Sequence, residues 1–274
     1  MRILSLGAGV QSSTLAIMAE RGDIEKIDCA IFADTGSEPR CGKNSVYSYL
    51  DYLKTKVSYP IYVVSAGNLK EKSLILRTSK RSGKRYVKGY IPAFVLKPDG
   101  KVGLLGRICT AEFKILPVAR KVKELLGIKR ASKNSPVANL LIGISKDEAH
   151  RMKPSRIPYV KHSWPLIDEV SMSREDCKKY MLKNGYKEPP RSSCTFCPFH
   201  GDDEWRRIYG TPDFEEAVQY EKDIQEVHKK QNALEGIPFL HQSCKPLDTI
   251  NFKDKKAYKQ LDIFGNECEG LCGV

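Results

Sequence analysis

The chain has 274 residues, 41% of them hydrophobic and 29% charged, which suits one large core or one core with a small appendage. Lys and Arg outnumber Asp and Glu by 46 to 33, and the formal charge of +13 points to anionic partners: nucleotides, sulfate or phosphate esters, or nucleic acid. No run approaches the roughly 18 apolar residues of a membrane-spanning helix, so a membrane partner is not expected. Met1 to Gly7 lead straight into a strand-like segment without the layout of a signal peptide, which predicts a cytoplasmic protein. Nine cysteines, odd in number and unevenly spaced, then predict thiols kept for metal or redox chemistry rather than for disulfides.

Apolar runs at Arg2 to Leu6, Asp28 to Ala33, Ile61 to Ser65 and Ala138 to Ile144 read as strands. Between them Leu15, Met18 and Ala19 share one helical face, and Val118, Val122, Leu125 and Leu126 share another. This alternation predicts an α/β fold with a doubly wound, mostly parallel sheet. Farther on, Ser173-Arg174-Glu175-Asp176 is an N-terminal capping signal for a helix that carries Cys177, Tyr180 and Met181. A longer helix is predicted from Pro212 or Phe214 to a stop before Gly236 and Pro238.

The expected organisation is a nucleotide-binding α/β domain over 1–170, a helical, Cys-containing region over 171–250 and a flexible Cys-containing tail over 251–274. Residues 66–108 interrupt the first domain with Lys, Arg, Gly and Pro, too long for an ordinary connection and too polar for core. They read as a mobile basic flap, or as a merely solvated loop.

The first strand ends in Ser5-Leu6-Gly7-Ala8-Gly9-Val10-Gln11-Ser12-Ser13, where small residues let backbone N–H groups approach a phosphate at the N-terminus of the next helix. With no Lys after the glycines, such a loop would use backbone and hydroxyls; the same turn can also serve packing alone. The second strand ends in Asp34-Thr35-Gly36, at the sheet edge where α/β proteins bind ligands. Asp34 suits a ribose hydroxyl, an adenine amine or Mg²⁺, and equally suits a turn. Cys194-Thr195-Phe196-Cys197 followed by Pro198 is the strongest metal signal, since two thiolates at this spacing can share one metal or cluster.

Taken together, these motifs resemble the adenine-nucleotide alpha-hydrolase group, which includes the phosphoadenosine-phosphosulfate (PAPS) reductases and the PP-loop ATP pyrophosphatases. Gly7 to Ser13 stands where that group has its PP-loop, and Asp34-Thr35-Gly36 is similar to the reductases' Asp-Thr-Gly. The stretch Arg107 to Pro117, with Cys109 and Lys114, resembles their Cys-Cys-x-x-Arg-Lys-x-x-Pro segment. Gly143 to Arg151 resembles a Gly-Leu-Arg segment ending in Arg, and Trp164-Pro165-Leu166 a Pro-Leu motif before a helix. Glu267-Cys268-Glu269-Gly270-Leu271-Cys272 is similar to the reductases' C-terminal Glu-Cys-Gly. The chain departs from the pyrophosphatase pattern at Gln11, a neutral amide in place of an acid, which leans toward the reductases.

The resemblance implies an adenine nucleotide (PAPS, its analogue APS without the 3′-phosphate, or ATP), with Mg²⁺ as an optional ion, held by Ser5, Gly7, Ala8, Gly9, Gln11, Ser12, Ser13, Asp34, Thr35, Gly36, Gly143 and Arg156. It implies catalytic roles for Cys268, Cys272, Lys114 and Arg151, and an iron-sulfur cluster, with zinc as the alternative, on Cys109, Cys194 and Cys197, the fourth ligand being Cys244, His200, a substrate or an added sulfide. The leading expectation is an oxidoreductase that reduces a sulfonucleotide with a thiol reductant. Its rivals are ATP-dependent adenylation and thiolation of a base in tRNA or DNA by a sulfur donor, and a non-enzymatic zinc protein that binds nucleic acid. Oligomeric state is not legible.

Overall fold

A computed structural model of the protein describes residues 1–132, 134–231 and 235–252; the tail with Cys268 and Cys272 lies outside the described residues. The strands in chain order are β1 (Arg2–Leu6), β2 (Cys29–Asp34), β3 (Ile61–Ser65), β4 (Leu76–Thr78), β5 (Arg85–Val87), β6 (Phe94–Leu96), β7 (Val102–Leu104), β8 (Ala138–Leu141), β9 (Val160–Ser163) and β10 (Ile237–Phe239). The α-helices are α1 (Val10–Arg21), α2 (Val46–Lys54), α3 (Leu69–Ser73), α4 (Leu116–Leu125), α5 (Pro165–Asp168), α6 (Arg174–Lys183), α7 (Asp202–Ile208) and α8 (Pro212–Lys229). They divide between two compact units, one built from Met1–Ala66 and Thr110–Ser193, the other from Gly67–Cys109 and residues 194–252.

The first unit is built on a five-stranded, all-parallel sheet in the order β3-β2-β1-β8-β9. Successive residues of a strand point to opposite faces, and in β1 both faces are buried. Leu4 and Leu6 join Ala30 and Phe32 in a core with α1, α2 and α6, while Ile3 joins Ile31, Leu140 and Val122 of α4 on the other side. Helices therefore cover both faces, as near-continuous apolar strands require. The chain proceeds β1, β2, β3 in one direction and then adds β8 and β9 on the far side of β1, so the order reverses between β1 and β8. With right-handed crossovers, that reversal sends α1 and α2 to one face and α4 to the other.

Helix α1 is buried from Val10 through Ala19, because Cys177 and Met181 of α6 close the side that the sheet leaves open. The capping box predicted at Ser173 forms, with the Ser173 hydroxyl accepting from Asp176 N and Asp176 accepting from Ser173 N. Strand β8 stops at Leu141, short of its apolar run, although Ile142 and Ile144 remain buried. The backbone turns away there, with Ile144 N donating to Ile142 O at 2.9 Å. Ahead of α4, Thr110–Ile115 winds as a π-helix. Pro117 supplies no N–H and crowds the carbonyl four residues back, and a wider turn relieves that conflict.

In the second unit β6 pairs antiparallel with both β7 and β10, and β4 pairs with β5. Thus the basic segment carries short strands. Trp205, Tyr220 and Phe196 are fully buried, and Phe252 packs on Trp205 and Phe214. Helix α8 begins at Pro212, with Asp213 and Glu215 in its first turn and His228 and Lys229 in its last, matching the helix dipole. No helix among the described residues is long and apolar enough to cross a membrane.

Candidate functional site

The turn between β1 and α1 lies at the carboxyl edge of the sheet, beside the strand-order reversal where open α/β sheets leave a crevice. Ala8 holds φ 54°, a left-handed conformation that costs a non-glycine residue energy. Gly9 is the N-cap of α1 and brings no side chain to cap it, so side-chain capping does not consume the helix's first N–H groups. Ser12 Oγ accepts from Gly7 N at 3.1 Å and so closes the loop. Ser13 Oγ and Gln11 Oε1 are buried with no hydrogen-bond partner among the described residues.

Gly143 lies against this turn. A Cβ there would stand 2.8 Å from Ser12 N and 3.2 Å from Gln11 C, so only glycine lets the chain leaving β8 cross the first turn of α1. Behind the turn, Gln11 Nε2 donates to Glu148 Oε2 at 3.1 Å and reaches Ser145 Oγ at 3.4 Å. Arg151 Nη1 pairs with the same Glu148 oxygen at 2.8 Å, and both side chains are almost wholly buried. Arg151 therefore sits near the loop with its charge already balanced by Glu148. Arg156 is exposed in the connection before β9 and joins neither group.

Asp34 Oδ1 accepts from Gly36 N at 2.7 Å and from Tyr47 Oη at 2.8 Å. Thr35 Oγ1 accepts from Ser37 N at 3.3 Å. Both side chains thus serve the turn, Gly36 taking the φ of 71° that completes it. Burial first, and the Asp34 carboxylate second, push the Tyr47 phenol upward, so it remains a hydrogen-bond donor at any physiological pH. The acid that reaches the crevice is Glu38, four residues on. It lines a small pocket with Ser5, Gly7, Lys114 and Ser192, and its Oε1 stands 3.6 Å from Lys114 Nζ. Glu38, Glu148 and Ser192 were not read from the sequence, because only the sheet order brings them to the loop.

The cysteines assigned to a cluster all fall in the second unit. Cys194 to Cys197 form a tight turn, Cys197 N donating to Cys194 O at 3.0 Å, and a second turn follows from His200 N to Cys197 O at 3.1 Å. Phe196 stacks on Tyr220 with ring centroids 4.2 Å apart. Burial drives the Tyr220 phenol upward, partly offset by its hydrogen bond with Ser73 Oγ at 2.9 Å. Cys244 instead packs between Phe94 and Phe239, its thiol pushed up by burial and by Glu221. Cys29 and Cys177 are buried in the first unit, with thiols pushed up to about 11 and about 12, again chiefly by burial.

Among the described residues no group of three or more His, Cys, Asp or Glu side chains is arranged to hold a metal ion. Of the cysteines assigned to a cluster, Cys194 and Cys197 share a turn, and Cys244 packs with Phe94 and Phe239.

No known family model matches this chain. No curated protein matches it either. Chemically, the first unit offers a helix N-terminus whose backbone N–H groups can meet an anion, and in the same unit Lys114 Nζ stands 3.6 Å from Glu38 Oε1.

Proposed function

We propose that this chain is an enzyme of the PAPS reductase-like, PP-loop type that binds an adenine nucleotide at the turn from Gly7 to Ser13 and performs sulfur chemistry on it. One observation carries the reading: the first turn of α1 presents backbone N–H groups, uncapped by any side chain, at the strand-order reversal of a parallel sheet. The phosphates would meet those N–H groups, with Lys114 moving from Glu38 to the incoming anion. The Cys268 thiolate would then attack the sulfur of the sulfonucleotide. A sulfur–sulfur bond forms, the sulfur–oxygen bond to the nucleotide breaks, and the nucleoside phosphate leaves with the electron pair. Attack by a second thiol, Cys272 or an external reductant, releases sulfite and leaves a disulfide.

The test is mass spectrometry of the intact protein after incubation with PAPS or APS. A thiosulfonate on the tail is expected, lost in Cys268→Ser. Full reductase activity in Cys268→Ser overturns the mechanism.

A second reading, ATP-dependent adenylation and thiolation of a nucleic-acid base, gains support from Glu148. Gln11 itself cannot supply charge to Mg²⁺, but its amide holds a carboxylate directly behind the loop. Pyrophosphate release that depends on added RNA or DNA would favour this reading; no release with either would remove it.

A further inference from the structure

Between Glu71 and Asp99 every charged residue is Lys or Arg. Strands β4 and β5 fold the middle of this stretch into a two-stranded ribbon, with Arg77 opposite Tyr86 and Thr78 opposite Arg85. Its end is closed by Ser79 N donating to Lys84 O and Gly83 N donating to Ser79 O, each at 2.9 Å. Lys80, Arg81, Lys84 and Arg85 are all exposed there, and none has an acidic partner among the described residues. Some exposed cations elsewhere do pair, as Lys54 does with Asp51 and Lys230 with Glu226. At the ribbon's base, Arg77 and Lys88 lie 5.9 and 4.9 Å from the Tyr90 ring centroid, over its π face.

Like charges gathered on paired strands repel one another and work against the fold. A ribbon that keeps them together without interleaved acids has its counter-charge on a partner. Tyr86 stands among these cations with 38% of its surface exposed. Cations along a backbone path with an aromatic ring between them are the recurring means of holding unpaired bases. We propose that the β4–β5 ribbon is a binding arm for single-stranded nucleic acid, with Lys80, Arg81, Lys84 and Arg85 on phosphates and Tyr86 stacked on a base. The inference stands apart from the nucleotide site and holds whichever reaction occurs there.

The experiment is fluorescence anisotropy of a labelled single-stranded oligonucleotide titrated with the full chain between 50 and 200 mM salt. Four phosphate contacts give a log–log salt slope of about −3 and roughly 50-fold weaker binding across that range. Replacing all four cations by alanine should remove most of the slope, whereas Tyr86→Ala should weaken binding about 10-fold with the slope unchanged. Adenine-nucleotide affinity measured on the same variants should not change, which separates failure of the arm from failure of the nucleotide reading. The proposal is overturned if the wild-type chain does not bind, if the quadruple variant keeps affinity and slope, or if duplex, polyglutamate or anionic vesicles bind as tightly as the single strand.

Discussion

Gly143→Ala tests the junction on which the nucleotide reading depends. The added Cβ would stand 2.8 Å from Ser12 N, 3.1 Å from Ser12 Cα and 3.2 Å from Gln11 C, all backbone atoms. Ordinary contacts between such atoms lie near 3.5 Å, so the overlap is several tenths of an ångström against a surface that cannot rotate away. Helix α1 is buried from Val10 through Ala19 and has no free side toward which to retreat. Overpacking of this kind costs about 1–3 kcal/mol, and about 2 kcal/mol is expected in a urea titration of the variant. Because the displaced atoms form the turn proposed to meet the phosphates, nucleotide affinity should fall together with stability. Gly106→Ala is the internal control, with nothing within 4 Å of its Cβ and no positive φ, and it should stay within about 0.5 kcal/mol of wild type. A Gly143→Ala protein with an unchanged urea midpoint and unchanged nucleotide affinity would refute the close approach of the β8 connection to α1, and with it the site.

Glu148→Ala strands the Arg151 guanidinium in a nearly closed environment and should destabilise the protein by about 3–5 kcal/mol, whereas removing both partners should cost less than the sum of the single changes. Equal additivity in that double-mutant cycle would mean that the pair is not coupled. Ser173→Ala removes one half of a capping box and should cost about 1 kcal/mol by thermal or urea unfolding, a loss that Ser173→Asp restores. The thiols of Cys29 and Cys177 are held protonated by burial, at about 11 and about 12 against an ordinary 9.0. Below pH 9 they are neutral in both folded and unfolded chains and contribute no slope. Above it the unfolded chain loses their protons first, so stability falls as pH rises through 9 toward 12. A urea midpoint that does not move between pH 8 and 11 would contradict that burial.

Much of this arrangement is written locally. Strands β1 and β3 fall where the apolar runs put them, α6 starts at its Ser173 cap and α8 at Pro212, because periodicity, caps and prolines act within a turn or two of the chain. The glycine turn after β1 and the Asp34 turn were visible for the same reason. The three-residue strands between Leu76 and Leu104 were not, since so short a strand carries too little alternation to stand out from a basic loop.

What tertiary structure alone decided is which groups share a site. Glu148 reaches Gln11 across 137 residues, and Lys114 meets Glu38 rather than standing free, contacts that depend on β8 adding beside β1. Asp34 was readable as either ligand or turn former, and only the fold shows its Oδ1 accepting from both Gly36 N and Tyr47 Oη. Cys244 looked like one more thiol in sequence and became a packed one only when Phe94 and Phe239 closed around it. Residue type states what a side chain can do, but the partner that uses up or leaves open that capacity arrives from a distant stretch of chain, through the order in which strands join the sheet.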